Sequence, residues 1–234
     1  MSWFKRKPQP LPIVTTPSFV DLFNQGQLDT SKWTASYWSG APGGGSFSPA
    51  NVDLSSGMLR LAMQQDATGK SVGGEIQSSL RFGYGTFEWT ARMGSNSATP
   101  YGTGVPVSGG VSGLFNFVND SQTEIDFETL GDKPDMLFFT NWNKPQAQGI
   151  SQQASSASFP VILYSTFNRY KFVWSPGRID FYLNDVLVRT HTINIPTVPA
   201  GIIMNHWGTS NLNWGGTFTA GTRYLYVSKF SYSA

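Results

Sequence analysis

The chain contains no cysteine in 234 residues, and only 13% of its residues are charged. The absence of cysteine excludes a disulfide framework, thiol catalysis and zinc sites built on cysteine. This share of charged residues is low, since a typical soluble domain carries about a quarter. The formal net charge is +2, and three of the 16 basic residues are Lys5, Arg6 and Lys7. No basic face remains to follow a phosphate backbone, so we expect no nucleic-acid partner.

Long apolar runs are also missing. No stretch approaches the ~20 apolar residues of a membrane span, so we expect no membrane partner. The N-terminal stretch MSWFKRKPQPLP has basic residues but lacks the apolar segment of a signal peptide. Its prolines predict an extended tail over residues 1–18. We expect residues 19–234 to form one domain, which is long enough to bury its own core. We also expect the protein to be a monomer.

Aromatic residues are plentiful at 15%, which excludes an intrinsically disordered chain. In four stretches apolar residues alternate with polar ones. The predicted inward positions are Phe87, Trp89, Ala91 and Met93; Tyr170, Phe172 and Trp174; Ile179, Phe181 and Leu183; and Tyr224, Tyr226, Ser228, Phe230 and Tyr232. Alternation with a period of two is typical of half-buried antiparallel strands. The chain is therefore predicted to be an all-β sandwich.

Two further features have no settled function. Residues 94–113 are rich in Gly, Ser and Pro and lie between two predicted strands. They predict either a flexible surface loop or a loop at the rim of a site. His191 lies in an alternating stretch and is expected to be solvated. With His206 as the only other histidine, no metal site built on histidine is expected.

Three of the 14 acidic residues fall in the stretch Glu124-Ile125-Asp126-Phe127-Glu128. On a strand the three acids share one face, while Ile125 and Phe127 enter the core from the other. Like charges on one face are unfavourable, and a chain with so little charge has little reason to crowd them unless they perform chemistry. A calcium-binding or solvated acidic edge strand is the alternative interpretation.

The spacing of these acids suits hydrolysis of a glycosidic bond. Cα atoms four residues apart on a strand are about 13 Å apart. Two glutamates that lean toward each other can bring their carboxyls to about 5–5.5 Å, the separation in retaining glycosidases. Repulsion then raises one pKa, so the same residue type supplies an acid and a nucleophile. We expect Glu124, Asp126 and Glu128 to be catalytic.

The stretch resembles the Glu-x-Asp-x-Glu signature of family 16 of the glycoside hydrolases, the group of licheninases, laminarinases and xyloglucan transglycosylases. The likeness extends over about residues 19–233 and includes 82–88 (FGYGTFE), 172–177 (FVWSPG) and 203–207 (IMNHW). It implies a jelly-roll β-sandwich of two antiparallel sheets with a concave glycan-binding cleft. It also implies that Glu124 is the nucleophile, Glu128 the general acid/base and Asp126 their partner.

The resemblance implies substrate-binding residues as well. They are Glu75, Phe115, Phe117, Trp207 and Trp214. The position of Glu75 corresponds to a carboxylate that contacts sugar hydroxyls in licheninases. Trp207 and Phe115 have a second interpretation as ordinary core residues. Trp142 stands among polar residues, which suits a ring that stacks on sugars.

Departures from the family pattern limit what it implies. Licheninases carry Trp-Asp before the signature, where this chain has Gln122-Thr123, and Gln77 stands where they often have Arg. Val227-Ser228-Lys229 lacks the calcium-binding Asp of many members. We therefore expect no required cofactor and no metal ligand, and the sequence does not support a structural calcium.

Together these features predict a retaining endo-β-glycanase, similar to an endo-β-glucanase, with a polysaccharide as its partner. A transglycosylase using the same site is one alternative, and a non-catalytic glycan-binding or attachment module is another. Because the substrate is a polysaccharide, an extracellular or cell-surface location is expected.

Overall fold

A computed structural model of the protein describes residues 18–159 and 162–234, which form 17 strands and one short helix, α1 (Ile162–Ser165). The strands are β1 Ser18–Asp21, β2 Trp33–Ala35, β3 Trp38–Ser39, β4 Ser46–Phe47, β5 Val52–Asp53, β6 Leu59–Gln65, β7 Ser71–Phe82, β8 Gly85–Ser95, β9 Gly110–Val118, β10 Thr123–Leu130, β11 Lys133–Trp142, β12 Gln152–Ser158, β13 Asn168–Ser175, β14 Arg178–Leu183, β15 Val186–His191, β16 Ala200–Gly208 and β17 Gly221–Ser233. Residues 1–17 of the predicted tail lie outside the described part, and Ser18, its last predicted residue, already belongs to β1 and pairs with Ser233.

The strands form two sheets that share the long strand β7. Sheet A has the order β12-β11-β10-β9-β16-β7-β2, and each neighbouring pair is antiparallel. Sheet B has the order β15-β14-β13-β8-β17, and on the other edge of β17 the strand β6 pairs with its first half and β1 with its second half. One pair in the described residues, β4 with β7, is parallel. This arrangement is the predicted all-β sandwich.

The core lies between the two sheets and is built from alternate residues of their strands. The predicted inward positions on β8, β13 and β14 are all buried there. Sheet A contributes Ile125 and Phe127 from β10, and the ring of Phe127 packs edge-on against Tyr170 and Phe181 of sheet B. The packing fixes which face of β10 points inward, because a shift of one residue would move every side chain to the other face.

The predicted inward face of β17 is wrong over its first half. The core positions are Leu225, Val227, Phe230 and Tyr232, so the strand changes face between Val227 and Phe230. The register against β8 shifts there, which indicates a bulge. A bulge shifts the alternation by one residue, and the adjacent polar residues Ser228 and Lys229 mark the position of the shift.

The segment between β8 and β9, residues 96–109, is anchored by buried donors. Arg92 donates a 2.8 Å hydrogen bond to the carbonyl oxygen of Pro100. The hydroxyl of Tyr226 donates a 2.9 Å hydrogen bond to the backbone carbonyl oxygen of Ser97. The loop is thus tied to both neighbouring strands of sheet B, where its composition alone suggested flexibility.

No helix in the described ranges is both long and apolar enough to cross a membrane.

Candidate active site

Strand β10 presents its three acids on the face of sheet A that points away from the core. Glu124 and Glu128 are partly exposed there, and Asp126 is buried with 4% of its surface accessible. Ile125 and Phe127, on the opposite face, are fully buried between the sheets. The alternation that predicted a strand therefore also places the three acids and the core side chains on opposite faces of β10.

The register places one neighbour from β9 and one from β11 beside each acid. These neighbours are Phe117 and Trp142 for Glu124, Phe115 and Thr140 for Asp126, and Gly113 and Phe138 for Glu128. None of the six is charged. The charge relief that cross-strand partners usually provide is therefore absent, and the three carboxyls interact with one another.

The environment raises the pKa of all three acids. For Glu124 burial is the largest cause, and hydrogen bonds with Ser121 and Asp126 partly oppose it, giving a pKa of about 7. Burial and then the charge of Glu124 raise the pKa of Glu128 to about 8. Burial, followed by the charges of both glutamates, holds the pKa of Asp126 well above its usual range. Glu124 is thus the glutamate that ionises first, and Glu128 the one that keeps its proton longer.

Glu124 is held by the turn that precedes its strand. Oε2 of Glu124 accepts a short hydrogen bond from the hydroxyl of Ser121. Ser121 accepts in turn a 2.9 Å hydrogen bond from Nε2 of Gln146, which lies in a short 3-10 turn, Gln146–Gln148. Sequence reasoning missed both residues, because neither belongs to the acidic motif.

Glu75 lies on β7, two strands beyond β9, and is almost completely buried. Its Oε1 accepts hydrogen bonds from Ser36 (2.7 Å), Trp38 (3.3 Å) and Gln77 (2.9 Å), and its Oε2 accepts one from Asn205 (3.1 Å). A carboxylate oxygen has about two acceptor positions, so the three donors crowd Oε1, while Oε2 keeps one further position. Glu75 therefore acts as a hub that orients the side chains around it.

A cleft of about 280 Å³ runs across this face from Glu75 to Glu124. Its lining comprises the acids Glu75, Asp120 and Glu124, the rings of Trp38, Phe115 and Phe117, the amides of Gln77, Gln146 and Asn205, and the side chains of Ser121 and Ile203. None of residues 94–113 lines this cleft. Trp38 is a further lining residue that the sequence did not single out.

The remaining predicted aromatic residues lie at the two ends of the acid row. Trp142 stands opposite Glu124. Trp207, which is 9% exposed, packs in a small hydrophobic cluster with Val111 and Leu130. Trp214 packs at the edge of this cluster, with its ring 5.1 Å from that of Phe138, the β11 neighbour of Glu128. Both tryptophans therefore belong to the Glu128 end.

The expectation that His191 is solvated is wrong. It is 1% exposed, and its two ring nitrogens lie 2.6 Å from Oδ1 of Asn141 and 2.7 Å from Oγ of Ser155. Burial, followed by the charge of Arg189, lowers the pKa of His191 to about 4. The residue joins the edge strands of the two sheets, a contact that no local pattern in the sequence indicates.

Among the described residues no group of three or more His, Cys, Asp or Glu could hold a metal ion.

Comparison with known proteins agrees with this architecture. The family model described as "Glycosyl hydrolases family 16" matches residues 44–224. The beta-glucanase of Paenibacillus polymyxa is 29% identical, over 89% of this chain and 77% of its own. The endo-1,3-1,4-beta-glycanase ExoK of Rhizobium meliloti (strain 1021) is 32% identical, over 86% and 73%. The solved structure of Bacillus licheniformis beta-glucanase superposes with a TM-score of 0.79 at 25% identity, covering 94% of this chain and 100% of that one.

Proposed function

The chain belongs to family 16 of the glycosyl hydrolases, and we propose that it is an endo-β-glucanase that cleaves a glucan chain internally with retention of configuration. The observation that carries this proposal is the row of three interacting carboxyls on the face of β10 that points away from the core, with Glu124 lining the cleft. Two relatives, one named a beta-glucanase and the other an endo-1,3-1,4-beta-glycanase, are 29% and 32% identical over most of the chain and support the substrate class.

In this proposal Glu124 is the nucleophile and Glu128 the general acid/base. Glu128 protonates the glycosidic oxygen as the bond to the leaving sugar breaks, and the carboxylate of Glu124 attacks the anomeric carbon. Glu128, now ionised, then removes a proton from water, which hydrolyses the glycosyl-enzyme. The lower pKa of Glu124 and the higher pKa of Glu128 support these roles, because the reaction begins with one carboxylate and one carboxylic acid.

Asp126 is the proposed partner of the pair. Its hydrogen bond with Glu124 lowers the pKa of the nucleophile, while burial, followed by the charges of the neighbouring glutamates, raises the pKa of Asp126 itself. A protonated carboxyl can donate to the neighbouring carboxylate, which favours the ionised form of Glu124.

The composition of the cleft favours an uncharged glycan. Its lining holds three acids, and among the described residues that line it there is no Lys, Arg or His. A polysaccharide rich in carboxylate or sulfate groups would be repelled from such a surface. The half-buried rings of Phe115 and Phe117 and the amides of Gln77 and Asn205 instead offer apolar contacts and neutral hydrogen-bonding groups. We therefore propose a neutral β-glucan as substrate.

Because such a polymer is too large to cross a membrane intact, we propose that the enzyme acts outside the cell or at its surface, which fractionation of the source cells would test.

The test is a panel of β-1,3-1,4-glucan, β-1,3-glucan, xyloglucan, galactans and bacterial exopolysaccharides, with Glu124→Gln beside the wild type. We expect cleavage of one or both of the first two by the wild type and none by the variant. A wild type that cleaves no glucan, or a variant with equal activity, would contradict the proposal. Proton NMR of the first-formed anomer tests retention, and an inverted product would remove the nucleophile role from Glu124. Product analysis with an added sugar acceptor separates hydrolysis from transglycosylation.

A further inference from the structure

The turn between β9 and β10 has an unusual backbone. Three consecutive residues, Asn119, Asp120 and Ser121, adopt positive φ angles of 49°, 56° and 66°. Single Asn or Asp residues tolerate this left-handed region, but a run of three that includes serine is unfavourable by itself. Some other part of the molecule must therefore hold the turn in place.

The short turn Gln146–Gln148 supplies that support. The backbone N–H of Gln146 donates a 2.8 Å hydrogen bond to the carbonyl oxygen of Asp120. The backbone N–H of Ala147 donates one of 3.0 Å to Oδ2 of the same residue. These bonds join the loop after β11 to the loop before β10, and they leave Ser121 only 1% exposed.

The direction of the hydrogen bonds around Ser121 follows from the groups involved. Nε2 of Gln146 can only donate, so the oxygen of Ser121 accepts from it at 2.9 Å. The single proton of the serine hydroxyl is then directed to Oε2 of Glu124. Glu124 thus accepts a hydrogen bond from a fixed donor, Ser121, which precedes it in the chain, whereas Asp126 follows it.

We infer that Ser121, oriented by Gln146, is a positioning residue that fixes the carboxylate of Glu124 in one rotamer and favours its ionised form. The inference rests on the proposed role of Glu124 as nucleophile. The charged or titratable groups that act on Glu124 are Asp126 on its own strand, Glu128 further along it and Asp120 in the turn, all acidic. The neighbours on β9 and β11 are the uncharged rings of Phe117 and Trp142. Ser121 is therefore one of the few groups here that oppose the accumulation of negative charge.

The decisive comparison uses two substitutions of Ser121. Ser121→Ala removes the hydroxyl. Ser121→Gly also removes it but relieves the backbone, because glycine adopts positive φ without cost. For both variants we expect kcat/KM on the preferred glucan to fall about tenfold, and the acidic limb of its pH profile to move up by about one pH unit, since one unit changes the ionised fraction tenfold. A Ser121→Gly variant with wild-type activity and an unmoved limb would show that Ser121 only shapes the turn.

A second pair tests the relay through Gln146. Gln146→Leu removes the side-chain donor but leaves its backbone bond to Asp120, and we expect a smaller shift of the acidic limb in the same direction. Gln148→Leu is the matched control, because it changes the same residue type on the same turn at an exposed position, and it should behave as wild type. Equal profiles for the two variants would remove Gln146 from the relay.

A readout without substrate separates this inference from the proposed function. The ¹³C carboxyl signals of labelled glutamate report ionisation directly, and the signal lost in Glu124→Gln identifies Glu124. We expect Glu124 to titrate at higher pH in Ser121→Ala than in wild type. An unchanged titration overturns the inference even if the enzyme cleaves glucan. A raised titration supports it even if the wild type cleaves none of the glucans tested, in which case only the proposed function fails.

Discussion

Glu124 and Glu128 point from the same face of β10, and the charge of Glu124 adds to burial in raising the pKa of Glu128 to about 8. Glu124, with a pKa of about 7, loses its proton first. The active form proposed here, with Glu124 ionised and Glu128 protonated, therefore dominates between these two values. We predict a bell-shaped dependence of kcat/KM on pH with a maximum between about 7 and 8, whose limbs belong to the coupled pair. A profile that stays flat from pH 5 to pH 9 would contradict this.

Replacing Glu124 should change the titration of Glu128. Glu124→Gln removes the negative charge, so we expect the pKa of Glu128 to fall toward the value set by burial alone. Activity on glucan should fall at least about a thousandfold, because no nucleophile remains. The carboxyl ¹³C titration of Glu128 measures the first effect. An unchanged Glu128 titration would show that the two carboxyls do not interact.

Replacing Glu128 should affect substrates according to their leaving groups. We expect Glu128→Gln to lose about 10²–10⁴-fold of its activity on glucan, where the leaving sugar needs a proton. Formation of the glycosyl-enzyme from an aryl glycoside with an acidic phenol should fall much less, because that leaving group departs unprotonated. Burst-phase release of the phenol measures this step. Equal losses on both substrates would argue against a proton-donating role.

The same substitution should stabilise the fold at alkaline pH. The pKa of Glu128 is raised on folding, so between its unfolded value near 4.5 and about 8 the folded chain holds a proton that the unfolded chain has lost. Stability from this group is full at low pH and is lost as pH rises. Glu128→Gln should match the wild type near pH 4 and exceed it by roughly 1–3 kcal/mol at pH 8 in urea unfolding. A difference independent of pH would contradict the assignment.

His191 should contribute with the opposite sign. Its pKa is lowered to about 4, so between about 4 and 6.5 the unfolded chain takes up a proton that the folded chain does not. Stability from this group is full above about pH 6.5 and is lost as pH falls. A His191→Gln variant should lose less stability than wild type between pH 7 and pH 4.5. Its activity at pH 7.5 should remain near wild type, because His191 is not part of the cleft lining. A parallel fall in both proteins would exclude this role.

Glu75 should matter for both binding and stability. Glu75→Ala leaves the donors of Ser36, Trp38, Gln77 and Asn205 without their acceptor. Unfolding should become easier by about 1–3 kcal/mol, and KM should rise more than kcat falls. Urea unfolding and steady-state kinetics check the two expectations. The control is Glu88→Ala on β8, whose carboxylate pairs with Lys229 on sheet B, away from the cleft. If both variants behave alike, Glu75 has no particular role as a hub.

The sequence predicts well what is local and periodic. The alternation around Asp126 defines the strand, its inward side and the acidic row. Successive side chains of a strand point to opposite faces, so the sequence alone shows which side chains share a face, whichever strands lie beside it. Ser121 and Gln146 meet only after two loops pack together, 25 residues apart in the chain. The contact of His191 with Asn141 spans 50 residues, and neither residue type predicts the other. The face change in β17 has a different origin, since a bulge alters the period without changing the composition.

The alternation along β10 has a consequence for how such an enzyme can change over time. Side chains on one face hold the sandwich together, and those on the other contact the cleft, one another or the small hydrophobic cluster at the Glu128 end. Positions such as Phe115, Phe117 and Thr140, which flank the acids, are thus open to exchange at modest risk to folding. New substrate preferences can arise by mutation at these positions while the hydrophobic scaffold and the proton-transfer chemistry are inherited unchanged. A combinatorial library confined to them would sample specificity at small cost in the yield of folded protein.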